Sequence, residues 1–136
     1  MPHARQQIRE AVAALVTGLT TTGSRVFQSR MRPQDTLPCL LVTTNDEDVS
    51  PGTIGAIYER RLQVVIRGFA KGNSTVDDTL DLIASEVETA MAAYDRAVLD
   101  KIEIEFDDEL EKPVGMIAIT YRLNYFTAAG QPGTLI

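Results

Sequence analysis

Val114 to Thr127, Val-Gly-Met-Ile-Ala-Ile-Thr-Tyr-Arg-Leu-Asn-Tyr-Phe-Thr, constrains this chain more than any other stretch. Ile117, Ile119, Tyr121, Leu123 and Tyr125 recur with the two-residue period of a pleated strand, and Ala118, Thr120, Arg122 and Asn124 take the alternate positions. One face therefore belongs to a core, and the other is partly wet. Such a strand requires neighbouring strands for its backbone groups and helices for its apolar face, so the other segments are read by what they supply to it.

Ala4 to Leu19 places Ile8, Val12, Leu15, Val16 and Leu19 at helical spacing, and Thr20 to Gly23 ends that helix. Arg25 to Arg30 is a short strand candidate. Cys39 to Thr44, opened by Pro38, is a continuous apolar run of the kind covered on both faces, which predicts a central strand. Asn45 to Ile57 carries acids, two glycines and a proline and reads as the one long loop, or as an extended hairpin arm. Tyr58 to Phe69 resumes a strand with Leu62, Val64 and Ile66 on one face. A second helix follows Ser74 or Thr75, with acids in its first turns and Leu80, Ile83, Val87 and Met91 in its stripe. Lys101 to Asp107 then alternates strictly, predicting Ile102, Ile104 and Phe106 inward and Glu103, Glu105 and Asp107 outward. A turn through residues 109–113 leads into the opening strand. Residues 1–3 and 128–136 read as flexible ends.

The expected fold is a two-layer α+β sandwich in the order α-β-β-β-α-β-β. It has a mainly antiparallel sheet of about five strands with both helices on one face. A chain of 136 residues is long enough for one such domain and too short for two. No apolar run approaches a membrane span, and the first residues lack the apolar core of a signal peptide, which predicts a soluble protein not exported by that route. The one cysteine, Cys39, lies in an apolar run and reads as a buried structural thiol.

Charge narrows the function classes. The net charge is −6, yet the first 32 residues hold Arg5, Arg9, Arg25, Arg30 and Arg32 against Glu10 alone. An acidic balance argues against a chain whose main work is gripping nucleic acid. His3 is the single histidine and falls in the expected frayed N-terminus, so neither a histidine-based triad nor a two-histidine metal site is expected. Asp46, Asp48 and Ser50 space their oxygens like the opening of a calcium loop, but Pro51 stands where glycine is needed and Ile57 where a bidentate glutamate is needed. Asp107, Asp108, Glu109 and Glu111 read as a solvated turn rather than an acid/base pair. No enzyme, cofactor or metal is expected. What remains suits assembly: a charged sheet face, a long acidic segment with apolar Val49, Ile54 and Ile57, and a basic N-terminal third to complement it.

Leu37-Pro38-Cys39-Leu40-Leu41-Val42, Glu59-Arg60-Arg61-Leu62-Gln63-Val64-Val65-Ile66 and Ile119-Thr120-Tyr121-Arg122-Leu123-Asn124-Tyr125, in this order of elements, resemble the lambda-type minor tail protein U family, the tail terminators of long-tailed phages. The resemblance implies a homohexameric ring that caps the tail tube, ends its polymerisation and offers a surface to the head. The partners implied are other copies of the chain, the tail tube protein and a head-completion or connector protein. DNA would pass through without specific binding, no membrane is involved, and the place is the head-proximal end of the virion tail, reached from the host cytoplasm. On this reading Asp46, Asp48, Ile54, Ile57, Arg5 and Arg9 are interface candidates and Glu103, Glu105 and Asp107 face the lumen. The alternatives are another head-tail connector or baseplate subunit, or a small-molecule-binding α+β domain, which an enclosed apolar pocket would favour.

Overall fold

A computed structural model describes residues 1–28, 36–52, 55–108 and 113–136. Its elements are α1 (Ala4–Leu15), β1 (Val26–Phe27), β2 (Cys39–Pro51), β3 (Ile57–Lys71), α2 (Val76–Met91), β4 (Ala97–Asp107) and β5 (Val114–Ala128). The expected α+β class and element order are both present. The sheet runs β1-β2-β3-β5-β4. All pairs are antiparallel except β1 with β2, where Val26 and Phe27 lie parallel to Leu40 and Leu41. The central strand is β3, not the Cys39 run, because β5 inserts between β3 and β4.

Alternation along β5 sets the core. Ile117, Ile119, Leu123 and Tyr125 are at most 1% exposed, and they share their face with Leu62, Val64 and Ile66 of β3 and Leu40 and Val42 of β2. Ile8 and Val12 of α1 and Leu80, Ile83 and Val87 of α2 close the same cluster. Two glycines let α2 lie directly on the sheet. A Cβ on Gly115 would stand 2.4 Å from Val76 Cγ2, and one on Gly68 would stand 2.7 Å from Ile83 Cγ2. Any side chain there would force the helix outward. Thr75 takes the N-cap position of α2, as expected, but its side chain makes no cap bond to the helix; its backbone N–H and hydroxyl instead donate to Asn73 Oδ1.

Several expectations change. Of the two readings of Asn45 to Ile57, the extended hairpin arm holds for Asn45 to Pro51 and the loop does not: Glu47 to Pro51 pair with Leu62 to Tyr58, and β3 is itself backed there by Asn124 to Ala128 of β5. Local composition suggested a loop, but β5 on the far side of β3 extends the ladder in a way that composition cannot reveal. Ile54 and the turn residues 109–112 lie outside the described residues. The expected loose ends are tied to each other. Ala4 N–H donates to Pro132 O at 2.8 Å, Gln7 Nε2 donates to Gly133 O at 2.7 Å, and Ile136 N–H donates to Phe126 O at 3.0 Å. His3 is not frayed either, since its Nδ1 accepts from Arg5 N–H at 3.0 Å and caps α1.

Candidate assembly surfaces

Glu47 anchors the extended β2–β3 arm to the body. A bulge between Thr44 and Glu47 sets Asn45 and Asp46 against Gln63 alone, after which Glu47 stands on the helix side opposite Leu62. Its side chain is only 6% exposed. Arg5 Nη1 donates to Oε2 at 2.7 Å and Arg60 Nη1 donates to the same oxygen at 3.1 Å. The Tyr125 hydroxyl donates to Oε1. Burial works against the charged carboxylate, but the hydroxyl of Tyr125 and the guanidinium groups of Arg5 and Arg60 outweigh it and hold Glu47 below its ordinary value. Burial, then the acceptor Glu47, push the Tyr125 phenol upward. Burial, then Arg5, lower His3. A carboxylate held low by three donors is a poor proton donor near neutrality, and this cluster acts as a clamp joining α1, β2, β3 and β5.

The face of the sheet turned away from the helices is neither plainly wet nor plainly apolar. Its middle is made of small side chains, Thr43, Val65, Ala118 and Thr120, each at most 9% exposed. Longer neighbours shelter them: Arg67 Nη1 donates to Thr43 Oγ1 at 3.0 Å, and Gln63, Lys101 and Glu103 complete the rim of an open polar groove. Glu103, Glu105 and Asp107 stand on this face, all exposed. Arg122 is further along it, opposite Val98, and its Nη1 lies 4.0 Å from Asp100 Oδ1.

The third surface is β4, where the expected inward stripe fails. A bulge at Asp100 places Leu99, Ile102, Ile104 and Phe106 on the helix side, opposite Tyr121, Ile119, Ile117 and Gly115. These four are nevertheless 41%, 41%, 55% and 52% exposed. The reason is position: α1 lies over β2 and α2 over β3 and β5, so among the described residues no helix is stacked on the edge strand as they are on its neighbours. Apolar side chains this open at alternate positions of one strand form a patch of the kind that contact surfaces use.

The predicted interface residues that the structure describes are spread over several parts of the fold. Asp46 is the exposed bulge residue, and Asp48 is exposed on the face away from the helices, opposite Arg61. Ile57 is half-buried at the mouth of the arm, its carbonyl accepting from Gly52 N–H at 2.6 Å. Arg5 is engaged by Glu47, and Arg9 Nε donates to Gln28 at 3.3 Å. Sequence reading passed over Glu47, hidden between two aspartates, and over the open side of β4. Among the described residues no group of three or more His, Cys, Asp or Glu side chains is placed to hold a metal ion, and no helix is long and apolar enough to cross a membrane.

Comparison with known proteins adds to the geometry. No protein-family model matches the chain, and no curated protein matches it. Among solved structures it is similar to a chain of the "Virion of native gene transfer agent (GTA) particle", at 19% identity with a TM-score of 0.53 over 90% of each chain. The likeness is one of fold, and it extends over nearly the whole length of both chains.

Proposed function

We propose that this chain is a structural subunit of a phage-type particle, a tail terminator whose copies form a six-membered ring on the end of the tail tube. The observation that carries the reading is the fold shared, over nine-tenths of both chains, with a chain of a gene transfer agent virion. The number six comes from the resemblance to the protein U family. The ring works by shape: one side matches the tube, the other does not reproduce the tube's growing face, and the head joins there. An open apolar strand beside a polar, mixed-charge face suits such contacts.

Light scattering and negative-stain imaging over a concentration series, with and without divalent cations and tail tubes, test this. Closed rings that bind tube ends and stop their growth are the expected result. A strict monomer under all these conditions would exclude the reading.

Within the ring, the exposed carboxylates of Glu103, Glu105 and Asp107 line the opening and keep DNA from adhering. Exchanging them for Gln, Gln and Asn is expected to give rings that retain DNA at low salt and release it as salt rises. Rings of the triple variant with unchanged DNA retention would put this face elsewhere.

A further inference from the structure

Among the described residues, the helix layer of this fold stops short of β4. Two helices cover β2, β3 and β5, and the layer stops before β4, leaving Leu99, Ile102, Ile104 and Phe106 open on the helix side. At the opposite end of the same layer, α1 presents an outward side with exposed Ala11 and Ala14, small enough for close approach by another element.

We infer that the open side of β4 is covered by α1 of a second copy of this chain, in a head-to-tail contact that repeats around the assembly. The inference rests on the assembly reading above and names the surfaces that make it. Two observations select this occupant. The first is continuity: because α1 lies over β2 in its own subunit, seating it above a neighbour's β4 brings β1 and β2 to the open edge of that strand. Sheet and helix layers then both run on from copy to copy. The second is charge. On the face away from the helices β4 carries exposed Glu103, Glu105 and Asp107, and the incoming copy brings Arg25, just before β1, to that edge, its guanidinium donating to the carbonyls of Pro38 and Thr21; Arg5 is already paired with Glu47 and takes no part. Opposite fields on the two ends of one subunit favour head-to-tail over like-to-like contact. The apolar stripe supplies affinity, and the charges set orientation and encounter rate, so rings can persist when carboxylates alone are neutralised.

The test uses the full chain. An I104C/A14C variant, and a companion I104C/A11C, are treated with a short bismaleimide linker; the native Cys39 is buried. The expected result is a ladder of covalent oligomers from at least one double variant, with no ladder from any single variant. In parallel, Ile104→Asp, checked for folding by circular dichroism, is expected to raise the concentration for half-assembly at least tenfold. Rings that form normally with Ile104→Asp and give no ladder would overturn this inference and leave the ring reading standing. Covalent dimers from I104C alone, without higher species, would mean that β4 meets β4 and would also overturn it. A wild-type chain that stays monomeric in every condition would remove both.

Discussion

Ile117→Ala is expected to destabilise the free subunit by about 2–5 kcal/mol, whereas Ile104→Ala, at the residue directly opposite it on the neighbouring strand, is expected to cost no more than about 1 kcal/mol. The two isoleucines are register partners on the same side of the sheet. Ile117 is 1% exposed, and its Cγ2 would be 3.2 Å from a Cβ on Gly68, in the layer that Ile83 of α2 seals. Truncation there leaves a cavity that the tight helix-to-glycine packing cannot collapse. Ile104 is 55% exposed, so its methyl groups already meet water and their removal changes little. Chemical denaturation of both variants at unchanged slope reads the difference. Equal losses would mean that the open side of β4 is covered within the single chain.

Glu47→Ala is expected to cost about 3 kcal/mol, the scale of breaking a buried ion pair by removing one partner. It leaves Arg60, with a side chain only 12% exposed, without its carboxylate, and the buried Tyr125 hydroxyl without its acceptor. The Arg5 arm adds little to this figure, since 40% of that side chain is in water. The effect depends on pH in a fixed sense. Glu47 is held below its ordinary value of 4.5 in the folded chain, so in acid the unfolded chain takes up the proton first. The clamp's stabilisation is therefore complete above that value and is lost as pH falls through the lower folded value. His3, held below its ordinary 6.5, adds a loss that begins at higher pH, as acid drives its protonation in the unfolded chain. Denaturation midpoints measured across this range should fall more steeply in acid for the wild type than for Glu47→Ala. Parallel curves would show that Glu47 is not held as an ion by its three donors.

The sequence by itself determined the periodicities, and with them the class of fold. The alternation from Ile117 to Tyr125 and the helical stripes of Ile8 to Val12 and Leu80 to Val87 each identify which residues share a face, because strand and helix geometry repeat at fixed intervals. Periodicity does not say whether anything lies over that face. Ile102, Ile104 and Phe106 alternate as cleanly as the residues of β5, yet only the placement of α2 over Gly68 and Gly115, one strand short of the edge, decides that they stay open. The same limit applies to Glu47. Its neighbours Asp46 and Asp48 are exposed, and its own burial needs a bulge plus Arg5, 42 residues earlier, and Tyr125, 78 residues later. The segment from Asn45 to Ile57 reads as a loop or an extended arm, because its two glycines, proline and acids disfavour strand locally. Asn45 to Pro51 is strand because β5 carries the sheet past Leu123 and holds β3 in place to receive it, an effect of chain segments far apart that no local window contains.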